Sequence, residues 1–341
     1  MDFFSNLIST LQEWLFETLV QPALFHLGLS NLIEDSYDAT LWLIAGVIQI
    51  LILLALIGPL ERWRPVEAVT DRRAIWQDVA YTLFHRLGVF RVALFLTIDP
   101  LWDMVFGQLH VMGWTGWQLD HLWPGVTDLA WVSLLMYLLV FDLFDYFYHR
   151  AQHRFVWMWE LHAVHHSQQQ MTMWSDNRNH LLDDIIRDVL IVLISQLIGI
   201  PPGQFIAIVI ITQLVESFSH ANIRMSFGSI GQRLLVGPKF HRKHHSIEYD
   251  ASAPGFKGGY NFAVLFPIWD MLFGTARYDG NYGPTGIHDQ TPENGSRDYG
   301  RGLISQHWLG LKRMFGNRKA GFPAAQAGAA GGDKRSGRDS S

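Results

Sequence analysis

Twelve of the sixteen histidines lie beyond position 148, and their spacing is that of metal ligands. His149 and His153 stand four apart in DYFYHRAQH, while His162, His165 and His166 in LHAVHHS and His241, His244 and His245 in FHRKHHS repeat the pattern i, i+3, i+4. On a helix each set shares one face. With His at about one residue in twenty, an H-x-x-H-H pattern is expected only ~0.04 times in the chain when counted against the template; it occurs twice. Eight imidazoles exceed the ligands of one ion, because a tetrahedral site takes about four and an octahedral one about six. Two ions are therefore implied. Imidazole suits zinc, iron, copper and nickel alike, so ligand type leaves the metal open. There is no cysteine, which removes thiolate sites, haem-thiolate chemistry, disulfides and Cys nucleophiles together. Three carboxylates stand one helical turn from a histidine: Asp145 before His149, Glu216 before His220 and Asp184 after His180. Each is placed to accept a remaining ring N–H and fix a tautomer. For Asp145 and Glu216, at the ends of apolar helices, burial demands such a partner.

These side chains must be carried by elements suited to a bilayer. The chain is 49% hydrophobic and 17% charged, with the apolar residues gathered in long runs. Residues 39–60 carry no charge and are long enough to cross the roughly 30 Å hydrocarbon layer. Further runs occupy 80–106, 129–148, 185–200 and 204–218. The second holds Arg86, Arg91, Asp99, Pro100 and Asp103, which predict a broken or partly buried span. Pro201, Pro202 and Gly203 predict a hairpin turn between the last two. Lys and Arg are absent from 1–60 and 92–149 but follow the spans as Arg62, Arg64, Arg72, Arg73, Arg150 and Arg154, then Arg224, Arg233, Lys239, Arg242 and Lys243. The positive-inside rule then puts the N-terminus outside and the large C-terminal part in the cytoplasm after five crossings, or four if the second run is re-entrant.

The expected fold class is all-α: a transmembrane bundle of four to five spans with a cytoplasmic helical cap carrying a histidine-rich two-metal site. Residues 1–38 read as an interfacial helix region, 39–127 as the first spans and loops, 128–278 as the metal domain, 279–316 as a cytoplasmic segment and 317–341 as a disordered tail. A net charge of -5 and the lack of a basic patch interleaved with aromatics argue against nucleic acid as a partner.

The boxes HRAQH, HAVHH and HRKHH, with only eight residues between His153 and His162, resemble those of the fatty acid hydroxylase and sterol desaturase superfamily of integral membrane di-iron oxygenases. SHANI, containing His220, and NFAVLFPIWDMLFGT after the third box extend the resemblance over about residues 128–278. It implies that His149, His153, His162, His165, His166, His241, His244 and His245 ligate metal, with His220 a ninth ligand. His180, in RNH, resembles an Arg-x-His element of many bacterial members, though Leu181 stands where Pro often follows.

The resemblance further implies two iron ions, dioxygen as co-substrate, and hydroxylation or desaturation of a membrane lipid. Zinc could not do this, having no accessible redox state. No haem box, cysteine cluster or dinucleotide loop is present, so electrons would come from a separate reductase chain, cytochrome b5-like or ferredoxin-like. Trp174, Tyr146 and Phe218 are candidates to line a pocket for the lipid. His26, His85, His110, His121, His288 and His307 match no box and read as ordinary polar residues. A metal-ion transporter would place its ligands at mid-membrane on several spans. A membrane zinc hydrolase would want H-E-x-x-H, which is absent.

Overall fold

The computed structural model describes residues 2–247 and 259–316, with the side chains of the first few residues excepted. Among these residues the fold is all helix, the single β-contact being an isolated bridge between Ser246 and Thr285. The segment expected to be a disordered tail lies outside the described residues.

Helix α1 (Asp2–Leu15) packs near the start of α2 (Ser30–Trp63), where Gln12 donates to the carbonyl of Tyr37 and Phe16 meets the Tyr37 ring edge-on. The chain then forms α3 (Arg72–Arg86), α4 (Val89–Thr97), α5 (Asp99–Val111) and the long α6 (Ala130–Arg154). After α7 (Val156–His166) come α8 (Leu181–Ile198) and α9 (Pro202–His220), then the short α10 (Pro238–His244) and α11 (Ile268–Leu272), and finally α12 (Leu303–Phe315).

Among the described residues three helices are long and apolar enough to cross a membrane: α2, α6 and α9. The pair α3–α4 makes a fourth if taken as one span, bent by 48° at Gly88, the residue whose positive φ allows the turn. That break was expected from the charges of the second apolar run. Helix α8 does not qualify, because Asp183, Asp184, Arg187 and Asp188 lie in its first two turns and only its second half is free of charge. The count is thus three, or four with the bent pair.

Direction along the bundle is set by contacts at its two ends. At one end Glu61 accepts the backbone N–H groups of Met173 and Asn222, and Arg224 N–H donates to the carbonyl of Arg64. At the other, Trp117 N–H donates to Leu197, Tyr137 hydroxyl to Gly199, and Ser133 to Gln204. Helices α2, α6 and α9 therefore run toward the first end, and α3–α4 and α8 run back. The expected hairpin is present, with Gly199 in the left-handed region closing α8. Close approach of α2 to α3 depends on Gly46, where any Cβ would fall 1.6 Å from the Arg86 carbonyl oxygen.

A core of Tyr137, Leu138, Phe141, Ile198, Ile208 and Leu265 binds α6, α8 and α9 together. Above it, at the first end, lie the histidines.

Candidate metal centre

His149 and His153 occupy the last turns of α6, and His220 ends α9. Both helices point their C-terminal ends at one place. His162, His165 and His166 come from α7, and His241, His244 and His245 from α10 and its C-cap. All nine are between 1% and 8% exposed. They sort into two groups whose ligand atoms each lie within 4.8 Å of one another: His149, His153, His162, His166 and His244 in the first, His165, His220, His241 and His245 in the second. Each adjacent pair is divided between them. His166 and His244 turn one way, His165 and His245 the other, so consecutive residues on a helix serve neighbouring centres. The stacked rings of His166 and His245, 4.2 Å apart, form part of the seam.

The nitrogen contacts fit a cation. Within the first group, Nε2 of His166 lies 3.1 Å from Nε2 of His153 and 3.0 Å from that of His244. In the second, Nε2 of His220 lies 3.1 Å from His165 and 3.0 Å from His241, which is 3.1 Å from His245. Two nitrogens bound at right angles to one ion at about 2.1 Å stand about 3.0 Å apart, whereas tetrahedral angles give about 3.4 Å. Protons alone do not satisfy these contacts. His244 donates from Nδ1 to the Tyr260 carbonyl at 2.7 Å, and burial pushes its pKa down to about 3, so its Nε2 presents a lone pair to His166. A lone proton on His166 serves one neighbour and leaves the other facing a lone pair. Burial, reinforced by neighbouring imidazoles, likewise holds His165, His166, His241 and His245 well below the usual histidine range, as neutral rings suited to ligation. Nε2 of His149, both nitrogens of His162, and Nδ1 of His165, His241 and His245 are buried without a hydrogen-bond partner. Orphaned buried donors and acceptors of this density call for an ion or ordered water.

Backbone carbonyls fix the outer nitrogens. His149 Nδ1 donates to Phe262 at 2.8 Å and His220 Nδ1 to Glu216 at 2.7 Å, as His244 does to Tyr260. Tyr260 immediately precedes NFAVLFPIWDMLFGT and Phe262 is its second residue, and the motif is clamped twice. Asp270 accepts the N–H groups of Phe262 and Ala263, while Asp142 on α6 accepts those of Leu265 and Phe266 and the Trp269 indole. Asn261 takes a positive φ of 58° and ties Phe240 to Arg277. The motif thus works as a brace holding two carbonyls under two imidazoles.

The expected carboxylate roles need correction. Among the described residues Asp145 pairs with Arg187 at 2.8 Å and with no imidazole, and at Glu216 it is the backbone carbonyl that receives the His220 proton. The i−4 carbonyl lies directly behind a helical histidine and is nearer than a carboxylate of the same turn. Asp184 pairs with His85 at 3.3 Å. The carboxylate beside a box histidine is Asp183, 3.8 Å from His162 Nδ1 and held by the Tyr148 hydroxyl and the Gln152 amide. The ring that spacing assigned to Asp184, His180, is bonded instead to the Leu182 N–H and the His307 carbonyl.

His180 itself stays apart from both groups. Its Nδ1 accepts the Leu182 N–H as the cap of α8, and its Nε2 donates to the His307 carbonyl on α12, so neither nitrogen is left for metal. Gly310 admits this packing, since a Cβ there would lie 2.6 Å from the His180 ring. Trp174 and Phe218 pack against Leu53, Met173 and Ile223, and Tyr146 is fully buried against Phe262 and Thr275; none is among the lining residues of the cavity formed by His149, His162, His165, His220 and His241. Two cavities with lining residues in common approach the site. The inner one, about 80 Å³, is lined by His149, His162, His165, His220 and His241. The outer one, about 170 Å³, lies between α2, α3, α4, α8 and α9.

Fold and site together define an all-helical protein with membrane-length helices ending in two adjoining histidine groups. Residues 134–275 match the family described as Fatty acid hydroxylase. An ornithine lipid hydroxylase from Rhizobium tropici is 26% identical over 260 residues, covering 76% of this chain and 74% of that protein. Alkylglycerol monooxygenases from Caenorhabditis elegans and Homo sapiens are 26% and 25% identical over 49% and 48% of the chain, which spans only 30% and 34% of their lengths. No solved structure matches. The chain fits the fatty acid hydroxylase superfamily, as its boxes had suggested, and these matches support an oxidoreductase that hydroxylates lipid.

Proposed function

We propose that this chain is a membrane-bound monooxygenase that uses two iron ions, dioxygen and electrons from a separate carrier protein to hydroxylate a membrane lipid at the cytoplasmic face. The reading rests above all on the division of nine buried imidazoles into groups of five and four at nitrogen separations suited to two adjoining ions. Iron at such a site supplies the redox chemistry that activates dioxygen for attack on a C–H bond, which zinc lacks. In the balanced reaction one oxygen atom enters the C–H bond as a hydroxyl and the other leaves as water, with two electrons and two protons delivered by the carrier.

The protein's own residues bind and orient. The carbonyls of Phe262, Glu216 and Tyr260 hold His149, His220 and His244 in the tautomer that leaves Nε2 free to ligate. The α7 and α10 helices cover the site, and the near-complete burial of every box histidine keeps bulk water from the reacting centre. Arg62, Arg64, Arg72 and Arg73 flank the end of the bundle that carries the histidines, which under the positive-inside rule supports a cytoplasmic site. Clustering of ligands at one end, on helix termini and cap helices, favours an enzyme over a transporter with ligands along its spans. The named relatives act on an ornithine lipid and on alkylglycerol, so both lipid types belong in the first screen.

The test is a comparison of lipids from cells with and without the gene. A species heavier by one oxygen, present only with the gene and dependent on air, is expected. A change of two hydrogens alone would make the enzyme a desaturase, and an unchanged profile in a host supplying both lipid types would reject lipid oxidation.

A further inference from the structure

Helix α12 turns one face to the protein and leaves the opposite face uncovered. Inward, Gln306 accepts from the Tyr81 hydroxyl on α3 at 2.9 Å, the His307 carbonyl accepts from His180, and Gly310 lies close to the Glu160 carbonyl on α7. Outward stand Ile304, Trp308, Leu311 and Phe315, spaced i, i+4, i+7 and i+11. Ile304 is 89%, Trp308 64% and Phe315 80% exposed. An apolar stripe running the whole length of a helix is a surface for something other than water.

The inward contacts also set the depth of the helix. Tyr81 adjoins Thr82, whose hydroxyl donates to the Trp174 carbonyl, and the neighbouring Met173 N–H donates to Glu61. Glu61 follows the uncharged run 39–60, with Arg62 and Arg64 beyond it. Helix α12 is therefore fastened to the bundle near the level where α2 passes from apolar to charged sequence, the boundary between lipid and water. Trp63 at the end of α2 and Trp76 near the start of α3 are 73% and 71% exposed. With Trp308 they present three indoles at this end, and indole favours that boundary. Below Tyr81, Leu83 and Leu87 are exposed on the same α3 helix, so the stripe adjoins a surface already turned to lipid. Exposed Arg301 and Lys312 border the stripe and suit the anionic headgroups of a cytoplasmic leaflet. At 13 residues the helix is about 20 Å long, too short to cross a bilayer.

We infer that α12 is a membrane-surface helix, lying along the bilayer with Ile304, Trp308 and Phe315 sunk among the headgroups and upper acyl carbons. Through its contact with α7 it fastens the helix of His162, His165 and His166 to the leaflet at the histidine end of the spans. The segment 279–316, expected from sequence to be cytoplasmic, then touches the membrane along its last helix. The inference takes α2, α6 and α9 as crossing a bilayer and is independent of which metal the histidines hold.

Because the chain has no cysteine, a single nitroxide label can be placed at any chosen position. Full-length Ile304→Cys, Trp308→Cys and Phe315→Cys are labelled and measured by electron paramagnetic resonance in nanodiscs of phosphatidylcholine and phosphatidylglycerol. The relaxing agents are oxygen, which concentrates in lipid, and a nickel chelate confined to water. Leu56→Cys, on α2 and 61% exposed, is the lipid reference; Glu293→Cys, exposed ahead of α12, is the water reference. The three α12 labels are expected to show oxygen access like that at position 56 and little nickel access, at a depth of about 5–10 Å into the boundary between headgroups and acyl chains. Nickel access at these positions equal to that at position 293 overturns the inference. Shielding from both agents overturns it too, by placing a second copy or another protein on this face. Nickel access at position 56 itself would remove the membrane reading of the spans, and the inference with it.

Discussion

Replacing His244 or His165 by alanine is expected to strip metal from the purified protein and abolish oxygenated lipid, with product falling at least about 100-fold in either variant. One residue comes from each group, and each is buried, so no solvent-exposed neighbour can take its place. His244 faces His166 at 3.0 Å and is locked by the Tyr260 carbonyl; His165 faces His220 at 3.1 Å. Removing either leaves an ion short of a ligand and the remaining rings with lone pairs opposed. The comparison variant is His288→Ala, an exposed side chain outside both groups, which should keep metal and activity. Full metal and product in His244→Ala and His165→Ala would show that the grouped imidazoles are a structural cluster only.

Asp270→Ala is the second large effect, and it acts at a distance from the metals. Asp270 is fully buried and accepts from Phe262 N–H at 2.9 Å, Ala263 N–H at 2.8 Å and Thr275 hydroxyl at 2.6 Å. Burial raises its pKa, and these three donors oppose the shift. Its loss orphans two buried N–H groups, so the expected cost is about 3–5 kcal/mol. Because Phe262 carries the carbonyl that orients His149, metal should also be held less tightly, by about 10- to 100-fold. Thermal melting in detergent and metal titration read the two effects separately. Asp270→Asn, which keeps one acceptor oxygen, should lie between. An alanine variant that melts and binds metal like the unaltered protein would mean that the brace plays no part in shaping the site.

Much of the site was legible because its information is local. An i, i+3, i+4 pattern of histidines declares one helical face by itself, and the uncharged run 39–60 declares a span by length alone. What escaped is tertiary. Nothing in the spacing of HAVHH or HRKHH shows that each adjacent pair divides between two centres; that needs α7 and α10 to face each other. Asp183 and Asp184 are neighbours on one helix, and only the direction in which α8 faces α7 decides that Asp183 meets His162 while Asp184 turns to His85. His180 looked like a ligand because an Arg-x-His element was matched, yet the packing of α12 claims its Nε2. The apolar run 185–200 looked like a span, but the helix that contains it carries Asp183, Asp184, Arg187 and Asp188 in its first two turns. NFAVLFPIWDMLFGT marked itself by resemblance, and only the hydrogen bonds of Asp142 and Asp270 explain why such a segment is needed.

The most direct test of the two-metal claim is elemental analysis, with Mössbauer spectroscopy, of the full chain purified from cells grown with labelled iron. Groups of five and four imidazoles lead to an expected value of about two irons per chain, electronically coupled to each other. About one metal per chain, or zinc in place of iron in protein that still oxygenates lipid, would contradict it.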